Sequence, residues 1–218
     1  MTQVLVPAVA TPALLEDAVV AFVEAWPMVI PDPITAEAIG VAVAHCALEC
    51  GNFGYQAGKP SDPPTCYCNN IGNTRAAIGE DCNVCQYPGS EIIGGKVVRF
   101  KPPDALSTFR AFDTLADGVA AQLLFLSRRT RYAQAWLRLL AGDPAGFVRQ
   151  LKAHGYFTGS EAPYERAVVS IFSRVVPIAA RIIAGQHHGI TDEDRVHVSD
   201  MVLLTLSQTD ETSHAGMS

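Results

Sequence analysis

The sequence predicts a mainly helical α+β fold with a small β-hairpin lobe, and three observations predict it. Apolar residues recur at helical spacing in separate segments: Leu15, Val19, Phe22, Val23 and Trp26; Ile39, Ala42, Val43, Cys46 and Cys50; Leu115, Val119, Leu123 and Leu126. One stretch reads instead as two strands, Glu91-Ile92-Ile93 and Lys96-Val97-Val98-Arg99-Phe100, around the two-residue turn Gly94-Gly95. Between the second helix and this hairpin, residues 51–64 are rich in Gly, Pro, Asn and Ser and read as loop.

Each element has its own boundary signal. Thr11-Pro12 opens the first helix, and the proline-bearing run 27–33 ends it. Asp32-Pro33, an N-cap followed by a first-turn proline, starts the central helix. Pro102-Pro103 stops the hairpin. Helices resume at Thr114, with Asp117 as the acid of a capping box, and continue over 132–140. A further helix is opened by Asp143-Pro144 and closed by Gly155 as a C′ residue. The last starts near Ser160, carries Tyr164, Val168, Ile171, Phe172 and Val175 inward, and should kink at Pro177 on its way to Gly185. His187-His188 has no carboxylate at useful spacing and reads as a helix end rather than a metal site. The polar tail from Ser207 is expected to be disordered. The expected organisation is one domain over 1–185, with a cysteine-bearing β-lobe insertion at about 51–108, and an extension over 186–218.

At 218 residues, 49% apolar, the chain can bury a sizeable core. It carries a net charge of −6 with no basic patch, which argues against nucleic acid as a partner. No uninterrupted apolar run reaches the roughly 18 residues that cross a bilayer, so no membrane insertion is expected. The start, MTQVLVPAVATPALLED, lacks a basic segment and meets acids early, unlike a secretory signal.

The six cysteines, Cys46, Cys50, Cys66, Cys68, Cys82 and Cys85, fall within one window of about forty residues. Their spacing is not the double CxxC of a zinc ribbon, so disulfides are favoured over zinc or free thiols. Cys46 and Cys50 lie one helical turn apart and point the same way. Each can reach the following loop, with Cys66 and Cys68 as expected partners and Cys82–Cys85 as a separate local pair. Disulfides imply an oxidising working place. Without a signal peptide, export would fall to a phage lysis system, a virion or a secretion machine.

The chemistry centres on residues 44–75, AHCALECGNFGYQAGKPSDPPTCYCNNIGNTR. Glu49 follows Ile39 by ten residues, which at about 100° per residue puts it at the edge of the apolar face. It also sits at the negative end of the helix dipole. Partial burial and the dipole both favour its protonated form, so a raised pKa is expected, as a general acid requires.

ALECG (47–51) followed by CYCNNIGNTRA (66–76) resembles the catalytic helix and Asn-Gly-Asn signature of the peptidoglycan glucosaminidases of glycoside hydrolase family 73. FRAFDTLADGVAAQLLFL (109–126) and LKAHGYFTGSEAPYERAVVSIFSR (151–174) resemble that family's later segments, in the same order. The resemblance implies a lysozyme-like fold with a cleft between its helical and β parts. It implies an endo-β-N-acetylglucosaminidase acting on peptidoglycan glycan strands in the periplasm or cell wall, without a cofactor and as a monomer. Glu49 takes the place of the general acid. Glu91, just before the hairpin, takes the place of the second carboxylate, ahead of Glu80 and Asp81. Tyr156 matches the family's cleft tyrosine. Asn70 and Asn73 can offer amides to sugar hydroxyls, or hold a tight turn equally well. Tyr132 is a candidate substrate contact, although it and Tyr164 are better explained by packing between helices. The chain departs from the family pattern at His45, where glutamine is usual, at Cys50, usually Ser or Thr, and at Gly159, often Asp. A muramidase or a lytic transglycosylase of the same fold is the alternative activity. A non-catalytic wall-binding or virion protein is the alternative class.

Overall fold

A computed structural model describes residues 3–56, 59–77, 80–93 and 96–186. Its helical body is built from α1 (Leu15–Val29), α2 (Ala36–Glu49), α3 (Leu115–Arg128), α4 (Ala133–Leu140), α5 (Pro144–Ala153) and α6 (Glu161–Gln186). The helices form where apolar periodicity and caps coincide. Thr114 and Asp117 close the predicted capping box at the start of α3. Asp143 caps α5 by accepting from Gly146 N at 2.8 Å, and Gly155 takes up φ +68° just beyond its end. Three boundaries differ from expectation, the first being the start of α1, which lies at Leu15 because the Thr11 hydroxyl accepts from Asn69 N at 2.8 Å instead of capping the helix. α1 runs through Pro27 to Val29, because a proline near a C-terminus loses only one late helical bond. α2 starts later than Asp32-Pro33, since Thr35 Oγ1 accepts from Ala38 N at 3.0 Å and is the true N-cap.

The central helix α2 is buried almost throughout; Ile39, Ala42, Val43 and Cys46 all lie in the main core with Phe22, Trp26, Leu123 and Leu151. It packs chiefly on α6. Gly40 permits the approach, since a β-carbon there would lie 2.7 Å from Val176 Cγ2 and 3.0 Å from the Phe172 ring. α6 runs on past Pro177 and is, by length and composition alone, apolar enough to cross a membrane. It buries Val168, Val175 and Ala179 against the body, while Arg166, Arg174 and Arg181 face outward.

The β part is larger than the hairpin the sequence reveals. The predicted strands are present as β5 (Gly89–Ile93) and β6 (Lys96–Phe100), paired antiparallel with Ile93 opposite Lys96. A second sheet joins β1 (Val4–Leu5), β4 (Asn83–Gln86) and β7 (Thr108–Arg110) in the order β1-β4-β7, β1 parallel to β4 and β7 antiparallel to it. A short ribbon, β2 (Tyr55–Gln56) with β3 (Lys59–Pro60), sits inside the expected loop. Cys68, Cys85, Tyr87 and Phe109 form a small separate core under this lobe.

The expected disulfides are corrected: all six cysteines are free thiols. Cys50 faces Cys66 across the helix–loop boundary, and Cys68 faces Cys85 in the small core. The Cys82–Cys85 pairing fails for a geometric reason. Cys82 lies in the bend just before β4, and side chains alternate sides along the extended chain that follows. Cys85 therefore enters the core, while Cys82 stays beside Glu80 and Arg110. Residues 187–218, including His187, His188 and the expected extension, lie outside the described residues.

Candidate active site

A cleft of about 810 Å³ opens between the end of α2 and the β-lobe. Glu49, the last residue of α2, is half-buried on its wall. The helix ends there because Gly51 turns the chain with φ +59°, followed by Asn52 and Phe53, also at positive φ. Tyr164 Oη, from the first turns of α6, donates to Glu49 Oε1. The Tyr164 ring is in turn stacked on Phe157 at 4.1 Å.

The opposite side of Glu49 is set by the asparagine-rich turn. Asn73, with φ 47°, lines the cleft and donates its amide to the main-chain carbonyl of Glu49. Asn70 has a different task. It is 1% exposed, donates to Thr74 O at 2.8 Å and Arg110 O at 2.9 Å, and accepts from Thr74 N at 2.9 Å. Its donors and acceptor are spent on backbone, so it builds the turn rather than offering an amide to a ligand. The turn is pressed onto α3 at Gly118, where a β-carbon would run into the Asn69 carbonyl.

Aromatic rings form the rest of the wall. Tyr67 stacks on Tyr87 at 4.4 Å and Tyr87 on Phe109 at 4.1 Å, a continuous three-ring stack along the cleft. Facing it are Phe125, Tyr132 and Tyr156. Tyr132 packs edge-on against Tyr156 at 5.6 Å, is only 5% exposed, and lines the cleft. Tyr156 gives its ring to the wall while its hydroxyl is engaged by His45 at 3.1 Å and Gln122 at 3.5 Å. Burial, with Glu49 nearby, pushes both the Tyr156 and Tyr164 phenols well above their ordinary values. Arg75 and Arg129 bring positive charge to the same cleft, Arg129 lying 4.3 Å over the Phe125 ring.

The three candidates for a second carboxylate occupy different places. Glu80 is excluded from the cleft: it is buried, accepts from Ala77 N at 2.8 Å and meets Arg110 Nη2 at 2.6 Å. Asp81 is exposed next to it. Glu91 lies in β5 opposite Val98, one residue beyond Ser90, and Pro88, Gly89 and Ser90 all line the cleft. The Glu91 side chain lies outside the described residues.

Sequence reasoning misses His45 and Tyr164 as neighbours of Glu49. The available signal is that His45 precedes Glu49 by four residues, one turn away on the same side of α2. Nothing local points to Tyr164, which is 115 residues distant.

No protein-family profile matches the chain, and no curated protein matches it in sequence. Solved structures do. A mutant of a peptidoglycan hydrolase from Sphingomonas sp. A1 superposes with a TM-score of 0.51 at 23% identity, covering 78% of this chain and 99% of that one. The glycoside hydrolase domain of Salmonella typhimurium FlgJ gives 0.48 at 16% identity, over 80% and 96% of the two chains. The chain thus has the mainly helical α+β fold of the Sphingomonas protein.

Proposed function

We propose that this protein hydrolyses the β-1,4 glycosidic bonds of peptidoglycan glycan strands, as an endo-β-N-acetylglucosaminidase with Glu49 as its general acid. The observation that carries the reading is the position of Glu49: a half-buried carboxyl at the end of the central core helix, opening onto an aromatic cleft. A glycosidase needs an acid to protonate the leaving oxygen, and flat apolar rings to hold sugar faces. Tyr67, the half-buried outer ring of the stack whose inner members Tyr87 and Phe109 are buried, supplies such a face. Arg75 and Arg129 suit the carboxylates that wall peptides carry. The fold shared with a peptidoglycan hydrolase agrees with this chemistry. Glu91 is assigned the second role, activating water or stabilising the forming cation. The protein would work as a monomer in the periplasm or cell wall.

A lytic transglycosylase is the second reading, and one observation favours keeping it. Glu80 is committed to Arg110 and Asp81 does not line the cleft, so the second carboxyl rests on Glu91 alone. Digestion of purified walls separates the cases. Soluble fragments ending in reducing N-acetylglucosamine support the proposal, and reducing muramic acid indicates a muramidase. 1,6-Anhydro-muramic ends indicate the transglycosylase. Pelleting with walls without release of fragments indicates a binding protein.

A further inference from the structure

His45 is fully buried on α2, with Phe147 edge-on at 5.3 Å, yet both its ring nitrogens are hydrogen-bonded. Nδ1 lies 3.0 Å from Tyr164 Oη and Nε2 lies 3.1 Å from Tyr156 Oη. We propose that His45 is a positioning residue: locked as the Nδ1–H tautomer between the two tyrosines, it makes the Tyr164 hydroxyl a committed donor to Glu49. The proposal rests on the reading of Glu49 as the acid only for its effect on rate.

The direction of the chain follows from counting protons. An ionised carboxylate only accepts, so Tyr164 must spend its one O–H on Glu49 Oε1. The Tyr164 oxygen then has only lone pairs for His45, which must donate from Nδ1. A neutral imidazole has a single N–H, so Nε2 accepts, and Tyr156 must donate to it. Burial keeps the imidazole neutral, lowering its pKa to about 3. The Tyr156 oxygen in turn can only accept, and Gln122 Nε2 stands 3.5 Å away as the donor. Gln122, Tyr156, His45, Tyr164 and Glu49 thus form one head-to-tail series. While Glu49 is ionised, no member can turn round without leaving a buried polar atom unpaired, which costs about 1–3 kcal/mol.

Two consequences follow for Glu49. Its Oε1 is held as an acceptor, so the proton of the acid form belongs on Oε2. The donated bond also favours the ionised form, so loosening the series should raise the Glu49 pKa. The other titratable groups facing Glu49 are quiet. The Cys46 thiol on α2 and the two phenols are all pushed up by burial and by Glu49, and stay protonated near neutrality. Arg75 and Arg129 line the same cleft.

The test uses the full chain with His45→Phe and His45→Gln. Glutamine presents a donor and an acceptor from one carbon, as the imidazole does across its ring, whereas phenylalanine presents neither. Carbon-13 NMR of the Glu49 carboxyl should show its pKa raised by about half a pH unit or more in His45→Phe, and restored in His45→Gln. If walls are cleaved, His45→Phe should lose about ten- to a hundredfold in kcat with KM little changed. The basic limb of its pH–rate profile should move up by the same shift. Nitrogen-15 NMR of the wild type should show Nδ1 protonated and Nε2 bare between pH 5 and 8. Should His45→Phe fail to fold, Tyr164→Phe removes the same link and should raise the Glu49 pKa alike. An unchanged Glu49 pKa in the folded variants, or a bare Nδ1, overturns the proposal. Absence of wall cleavage by the wild type would instead sink the functional reading and leave the NMR result standing.

Discussion

Asn73 ties the β-lobe to α2: its amide donates to the Glu49 carbonyl, and its oxygen accepts from Tyr87 Oη at 3.1 Å. A single side chain therefore fixes the distance between the proposed acid and the aromatic wall. Asn73→Gly keeps the positive φ and removes only the amide. It should cost about 1 kcal/mol of stability but about tenfold or more in wall cleavage. Asn70→Ala should do the reverse, losing about 2–3 kcal/mol through its stranded buried partners. Urea melts beside turbidity assays on walls read both.

Glu49→Gln should fold as the wild type does and lose at least about 10²-fold in rate. Glu91→Gln should also impair turnover while leaving wall binding intact. Full activity in Glu91→Gln would move the mechanism to a single acid. Azide rescue of Glu91→Ala would support the assigned role. Turnover on purified walls, with binding followed by pelleting, checks both variants.

Arg110 and Glu80 should govern stability rather than chemistry. Their side chains are only 6% and 2% exposed, so removing one partner strands a buried charge. Arg110→Met should cost about 3–5 kcal/mol. Wall cleavage, corrected for the folded fraction, should stay near the wild-type level. A large loss of rate at full folding would place the pair in the active site after all.

His45 also predicts the shape of the acid limb of stability. The unfolded chain binds a proton near pH 6.5 that the folded chain refuses until about pH 3. Stability should therefore fall as pH drops through that window, by at most about 1.4 kcal/mol per pH unit for this one group. His45→Gln lacks the titration and should show a correspondingly shallower decline in urea midpoints between pH 7 and 4. Equal slopes would mean that the folded protein holds His45 charged.

Thiol reagents should find the native protein almost inert. Five cysteines are buried, and Cys82, the half-exposed one, has its pKa raised to about 11 by burial and by Glu80. Its reaction with a disulfide reagent should quicken about tenfold per pH unit from 7 towards 10, as thiolate forms. All six should react in denaturant. Fewer than six under those conditions would reveal a disulfide.

The helices were legible because local chemistry repeats their period and marks their ends. Thr114 with Asp117, and Asp143 with Pro144, announce helix starts within a few residues. The Gly94-Gly95 turn announces its hairpin equally locally. The β1-β4-β7 sheet has no such signal. Its strands run two to four residues, too short to show alternation, and Val4 finds its partner at Asn83. The candidate site divides in the same way. Glu49 can be read from its own helix, but the proton on the Tyr164 hydroxyl and the ring stack of Tyr67, Tyr87 and Phe109 come from residues with no shared pattern. The cysteines were legible only in part: Cys50 does face the loop thiol Cys66, but clustering in sequence says nothing of Cys85 turning to Cys68 rather than to Cys82.

The chain's two tryptophans, Trp26 and Trp136, lie against each other in the helical body, with ring centroids 5.7 Å apart. The cleft wall is tyrosine and phenylalanine, and neither indole is part of it. The molecule therefore carries two separate optical clocks. Indole emission should report only melting of the helices, and a sugar entering the cleft should leave it dark to that channel. The near-ultraviolet tyrosine bands should register the ligand, and also any parting of the lobe from α2. If the tyrosine signal changes before the indole emission during unfolding, the lobe lets go first and the helical body follows.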